Sequence, residues 1–281
     1  MNKLLLSLPA LAWLVVFAVV PLGFMLVMSF WSTSIMGISF EFTLRNYERL
    51  ADSWLYAGLL WKTVRIALIT TLITLVLSYP LAVFLARLQG VRRASLIILL
   101  FLPFWTSYVV RTFAWLPILG RNGLINQALI GLGVIDQPLD WLLYREWVVW
   151  MGLVYVYMLF MTLPIFLSID RIDRALYDAA ADLGASRWDM FRRITWPLSL
   201  PGVISGSIMC ALLALGAFIT PALLGGTSGI MIGNVIAAQF INDMNWAFGS
   251  ALGIALTAVV LLLIAIANRT VGVQRIFLGR V

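Results

Sequence analysis

Apolar stretches and short polar ones alternate along the chain. Charge-free runs cover residues 4–40, 66–86, 147–169, 194–242 and 244–268, and the run 94–120 holds one charge, Arg111. A helix needs about 20 largely apolar residues to cross a bilayer. Five of the runs suit one helix each, and 194–242 is long enough for two. Its second half is broken by Gly225, Gly226, Thr227, Ser228 and Gly229. The apolar piece that follows, 230–241, is too short to span and reads as a re-entrant or interfacial segment. The pattern predicts an all-α, polytopic membrane protein with six transmembrane helices near 9–30, 65–86, 95–118, 147–168, 200–223 and 247–267. The first run opens like a secretory signal, with Lys3 and a cleavage-like Ala10-Leu11-Ala12, but it continues far beyond that point, which favours an uncleaved first helix. Small residues recur every fourth position at Ser78, Ala82, Ala86, at Gly202, Gly206, Cys210, Ala214, and at Gly249, Gly253. Such stripes let helix backbones approach closely in lipid, and packing within the chain is the simpler use of them than a subunit interface.

The polar segment 169–199 has a pattern of its own. Ile172, Leu176, Ala179 and Leu183 recur at spacings of four, three and four, an apolar stripe on a short helix. Asp170 is placed to cap that helix, with Asp173 in its first turn. Gly184 stops it, and Ser186 with Asp189 three residues on starts a second helix, which Pro197 and Pro201 end at the membrane. On physics alone, an amphipathic helix lying on the lipid surface and a docking element for a soluble partner account for it equally well.

Composition narrows the function. Apolar residues make up 63% and charged residues 11%, against roughly 45–50% and 25% in soluble domains, so one globular core cannot hold them. There is no His and a single Cys, Cys210, which excludes His-dependent catalysis, an internal disulfide and any multi-cysteine metal site. Lys3 and Lys62 are the only lysines and neither follows a glycine-rich loop, so no P-loop is present. No acid lies within a clear span, which argues against a membrane hydrolase and an ion-coupled carrier alike. Of the nineteen Lys and Arg, twelve fall at the N-terminus, in 87–94, in 169–199 and in the tail, with five of the twelve acids. The positive-inside rule makes that side cytoplasmic, both termini included. The basic excess thus reports topology, and a nucleic-acid partner is the weaker explanation.

The segment Asp178-Ala179-Ala180-x3-Gly184-x9-Ile194-x-Trp196-Pro197 resembles the EAA loop of permease subunits in bacterial ABC importers, whose pattern is Glu-Ala-Ala, three residues, Gly, nine residues, Ile-x-Leu-Pro. The spacing matches throughout; Asp178 stands for Glu and Trp196 for Leu. Leu44-x-Asn46-Tyr47, Tyr79-Pro80-x-Ala82, Pro103-Phe104-Trp105-Thr106-Ser107 with Arg111, and Met231-Ile232-Gly233-Asn234 with Gln239-Phe240 look like the spermidine/putrescine permease subfamily, the first of its two unlike permeases. The resemblance implies a single transmembrane permease domain over 1–281 in the bacterial inner membrane, with no catalysis and no cofactor of its own. It implies a second unlike permease, two copies of a cytoplasmic ATPase that bind ATP and Mg, and a periplasmic binding protein that delivers a polyamine. Asp178, Ala179, Ala180, Gly184, Ala185, Ser186, Ile194 and Pro197 would then couple the ATPase to the pore.

The substrate path is less legible. Pro103 frees a backbone carbonyl beside Trp105 and Thr106, which suits a cavity wall as well as ordinary packing. Arg111 is a costly intramembrane charge. It either snorkels outward to a surface acid or lines a gate, and as a cation it would repel a polyamine. Asp243 and Trp246 offer a carboxylate and an aromatic face, which a cation needs and which a solvated loop also supplies. Asn234 and Gln239 join the candidates through the subfamily-like stretch that contains them. No residue set for a metal is present.

Overall fold

A computed structural model describes residues 8–9, 12–34 and 37–271. Lys3, most of the cleavage-like site and the tail with Arg275 and Arg280 lie outside the described residues. The helices follow the apolar runs, and the differences in their ends have identifiable causes. Two compact units result: one from residues up to Trp61 together with Met231–Leu262, the other from Lys62–Ile230 together with residues from Leu263.

In the first unit, helix α1 (Ala12–Met28) opens through a wide turn at Val15–Val19. A short antiparallel hairpin follows, β1 (Ser32–Ser34) and β2 (Gly37–Ser39), with Thr33 opposite Ile38. Helix α2 (Arg45–Asp52) is tied down by Asn46, whose Nδ2 donates to the carbonyls of Ser29 and Trp31 at 2.8 Å each. Its Leu50 packs with Tyr56 on a core of Ile232, Phe248 and Leu252. That core is built by α13 (Ile232–Ile241) and α14 (Trp246–Val271). The ten residues of α13 are too few to span, in line with the sequence expectation.

Helix α3 (Trp54–Arg87) has 34 residues, about 51 Å at 1.5 Å per residue, well beyond the 65–86 span the charges suggested. Arg65 does not end it, because its guanidinium is paired with Glu146 at 2.6 Å. In the second unit, α4 (Gly90–Phe101) runs into a tight 3-10 turn, Leu102–Trp105, and the chain then bends by 95° before α5 (Tyr108–Phe113), α6 (Leu116–Leu119) and α7 (Leu124–Gly131). The expected straight span 95–118 is therefore broken. The cause is local: the N–H and the hydroxyl of Thr106 both turn back to the carbonyl of Pro103, at 3.3 and 2.8 Å, and Thr106 and Ser107 take extended backbone. A hydroxyl that captures a nearby carbonyl competes with the helix ladder.

The centre of this unit is α8 (Glu146–Asp170) packed on α11 (Trp196–Leu215). A Cβ at Gly202 would stand 2.4 Å from the Pro164 carbonyl oxygen and 2.9 Å from Ile165 Cα, and one at Gly206 would stand 3.0 Å from Met161 Sδ. The Tyr157 hydroxyl donates to the Leu213 carbonyl at 2.9 Å, and Cys210 is fully buried against Tyr157. The small-residue stripe thus serves packing within the chain. The expected span 200–223 stops early, at Leu215, because Gly216 and Ala217 leave the helix. Helix α12 (Ile219–Leu224) restarts it and is held by Tyr108, whose hydroxyl is 2.7 Å from Thr220 Oγ1.

Candidate functional site

The loop between α8 and α11 folds as the sequence pattern requires, with two corrections. Helix α9 (Arg174–Asp182) is capped by Asp173, whose Oδ1 accepts from the Ala175 N–H at 3.0 Å. Asp170 does not cap it: that residue is still the last of α8, and its carboxylate takes Arg93 at 2.6 Å. At the other end the Gly184 N–H donates to the Ala181 carbonyl and the Ala185 N–H to the Ala180 carbonyl, both at 2.9 Å, with Gly184 at φ +76°. This is the Schellman arrangement, in which a left-handed residue lets the chain close over the last turn. It gives the Ala-Ala-x3-Gly spacing a physical meaning: Ala180 supplies the carbonyl, Gly184 the left-handed turn and Ala185 the closing N–H.

Ser186 then starts α10 (Arg187–Met190) with a reciprocal cap: its Oγ accepts from the Asp189 N–H at 3.2 Å and its own N–H donates to Asp189 Oδ2 at 3.3 Å. The Ser186 hydroxyl, and after it the backbone N–H, holds the Asp189 carboxyl below the usual carboxylate range. The second correction concerns the prolines. Pro197 and Pro201 do not end this helix; residues 187–215 form one continuous helix of 29 residues. The wide turn Phe191–Thr195 lies where the Pro197 ring would otherwise meet the carbonyl four residues back, and opening the ladder there relieves the clash.

On α9 the side that packs within the chain carries Tyr177, and most of the apolar stripe is left outward. Tyr177 reaches Thr195 Oγ1 at 3.0 Å, whereas Leu176 is 47% and Leu183 88% exposed, and Asp178 and Ala179 are exposed beside them. Ala180, Ala185 and Ile194 are half-buried, and Ser186 and Pro197 exposed. Sequence reasoning missed an aromatic cluster that ties this loop to α3. Tyr79 stands 5.3 Å from Trp196 and 6.0 Å from Phe191, Trp188 stacks on Phe191, and the Tyr79 hydroxyl is 2.9 Å from Ser199 Oγ. The available signal was Trp196 itself, at the position where the EAA pattern has Leu.

Of the path candidates, Trp105, Thr106 and Arg111 fall in the second unit. Arg111 is buried and does not snorkel, and among the described residues it is not paired with an acid. Its Nη2 donates to the Thr106 carbonyl at 3.0 Å, and its guanidinium carbon lies 4.6 Å from the centre of the Phe104 ring. It thereby pins the two sides of the break together, while Trp105 is 81% exposed. Asn234, Gln239, Asp243 and Trp246 fall in the first unit. Asn234 Oδ1 accepts from the Met231 N–H at 3.0 Å and starts α13. The Gln239 amide donates to the Asp243 carboxylate, and Trp246 sits edge-on to Phe240. Asp243 and Trp246 are both exposed, each with a different neighbour. Among the described residues no cluster of three or more His, Cys, Asp or Glu could hold a metal ion.

Residues 53–276 match the family described as binding-protein-dependent transport system inner membrane component. The chain is 41% identical over 255 residues to the spermidine/putrescine transport system permease protein PotB of Escherichia coli, covering 90% of this chain and 92% of that one. To the protein of the same name from Haemophilus influenzae it is 36% identical, covering 92% and 90%. Among solved structures, a bacterial ABC transporter involved in the import of the acidic polysaccharide alginate superposes with a TM-score of 0.74 at 20% identity, over 94% of this chain and 92% of that one. A chain of the MetNI methionine ABC transporter superposes with a TM-score of 0.58 at 14% identity, over 79% and 96%.

Proposed function

The chain belongs to the binding-protein-dependent transport system inner membrane components, and on that premise we propose that it is the first of two unlike permeases in an ATP-driven importer of polyamines of the spermidine and putrescine kind. The observation that carries the substrate is identity of 41% and 36% over nine-tenths of the chain to permeases of spermidine/putrescine systems. A periplasmic binding protein delivers the substrate, and two copies of a cytoplasmic ATPase hold ATP and Mg.

Residues 171–197 are the part of this chain that receives the ATPase. Leu176, Ala179 and Leu183 are exposed in the isolated chain and offer an apolar face to a groove, with the turn at Ala185 and Ser186 at its tip. ATPase closure is then passed on through the folded loop, whose two short helices are fixed by the caps at Asp173 and Ser186 and by the Schellman turn at Gly184 between them. Arg111 is held by the Phe104 ring and the Thr106 carbonyl, neither of which cancels its positive charge, so the path of a cationic substrate is expected to run clear of it.

The test is uptake of labelled putrescine and spermidine by the complete complex reconstituted in vesicles with its binding protein and ATP. Concentrative uptake of both is expected. Transport of a delivered anion with no uptake of either polyamine would overturn the substrate assignment.

A further inference from the structure

The ends of α3 and α8, with α9 and α10, line a half-open cavity of about 550 Å³ within the second unit, inside the roughly 300–1,000 Å³ range of small-ligand sites. Its lining combines apolar side chains, Val83, Ile169, Ile172 and Phe191, with basic ones, Arg87, Arg174 and Arg187. Helix α3 ends at Arg87 and α8 at Asp170, so the cavity lies where two spans finish.

Its charge is unbalanced. Asp170 is the one acid among the lining residues, and Arg93 already takes it at 2.6 Å. With its amide oxygen turned inward, Gln89 accepts from Arg174 Nη1 at 2.7 Å. Among the described residues neither Arg87 nor Arg187 has a carboxylate within ion-pair distance. Guanidinium forks match phosphate oxygens, and a cleft of one sign raises the local concentration of the opposite one.

We propose that this cavity binds a phosphate group, carried by an anionic phospholipid such as phosphatidylglycerol or present as free phosphate, with Arg87 and Arg187 as its main contacts. Basic pockets between span ends on the cytoplasmic side suit anionic headgroups, and the apolar wall gives the start of an acyl chain a surface to follow. The inference rests on the cytoplasmic orientation proposed for this loop. The bound group would join the ends of α3 and α8 to α9 and α10, making the position of the loop sensitive to lipid composition.

The experiment purifies the complete transport complex and quantifies retained phosphatidylglycerol and phosphatidylethanolamine by mass spectrometry, for wild type, Arg87→Gln/Arg187→Gln and Arg87→Lys/Arg187→Lys. Phosphatidylglycerol retention is expected to fall about tenfold in the Gln pair, with phosphatidylethanolamine unchanged and the Lys pair close to wild type. Calorimetric titration of inorganic phosphate into the delipidated complex separates the two sources. Loss of lipid retention alone identifies a headgroup site, and loss of phosphate binding alone identifies a solute site. If the Gln pair retains both, the proposal is overturned. It is equally overturned if the Gln pair sheds the ATPase while lipid and phosphate are unchanged, since the arginines would then be protein contacts. Should the Gln pair fail to assemble, Arg87→Gln alone, at an exposed helix end, carries the comparison. A wild-type permease that purifies without any ATPase counts against the coupling reading, and its lipid content is still measured separately.

Discussion

At Gly184 the demand on the residue is conformational, since φ is +76° and nothing lies within 4 Å of where a Cβ would stand. An L-residue there costs roughly 1–2 kcal/mol, and a β-branched one more, whereas Asn tolerates the left-handed region. Gly184→Asn is expected to keep most of the transport rate and Gly184→Val to lose it, with both proteins inserted in the membrane and ATPase copurification falling only in the Val variant. Equal copurification from the two would separate the turn from coupling. Asp189 provides a second test at this scale. Its folded pKa is depressed, first by the Ser186 hydroxyl, so its contribution is fully present above the ordinary carboxylate value of about 4 and is lost as pH falls through the lower folded value. Amide protection at 187–190, corrected for intrinsic exchange rates, should be flat from neutral pH to about pH 5 and decline below about pH 4; a decline near pH 6 would show that another group holds the cap.

Between elements, the closest approach is α11 against α8. A Cβ on Gly202 meets backbone, the Pro164 oxygen at 2.4 Å and Ile165 Cα at 2.9 Å, while one on Gly206 first meets the flexible Met161 sulfur at 3.0 Å. Backbone cannot step aside, and overpacking of this kind costs about 1–3 kcal/mol. Thermal unfolding of the purified protein should therefore show Gly202→Ala lowering the midpoint more than Gly206→Ala, and the reverse order would contradict the packing described. This stripe was legible in the sequence because close helix contact requires small side chains at fixed spacing. Helix α8 was legible too, within two residues at each end, and helix α14 within one residue at its start and four at its end, because uninterrupted hydropathy and bilayer thickness demand nearly the same length. The break at Thr106 was not, since hydropathy does not record which carbonyl a hydroxyl captures. Nor was the true length of α3, because a charge that finds a partner, as Arg65 finds Glu146, no longer marks a boundary. In the loop, the Ser186 cap and the glycine turn were legible from residue type; the first cap falls on Asp173 and not on Asp170, because the preceding helix runs on to Asp170, and the face of α9 that packs was decided by one hydroxyl pair, Tyr177 with Thr195, which no periodicity encodes.

For the whole molecule, the distribution of basic residues predicts which side each polar segment faces. Cys210 is buried and should give little background to a membrane-impermeant thiol reagent. In intact cells Arg45→Cys is expected to label and Asp182→Cys to label only after permeabilisation; the opposite pattern would invert the topology and remove the ATPase from the loop of residues 171–197. The unbroken helix 187–215 has a mechanical consequence. Its 29 residues make a strut about 43 Å long, fixed at one end in the loop and reaching well into the bilayer at the other. If such a strut pivots by about 10°, its far end is displaced by roughly 7 Å, more than a full helical turn of rise. The wide turn at Phe191–Thr195 is where the ladder is already open and where bending stiffness is lowest. A small angular input at the membrane surface therefore reaches the interior either amplified along the strut or absorbed at that turn, and the stiffness of five residues sets the gearing between them.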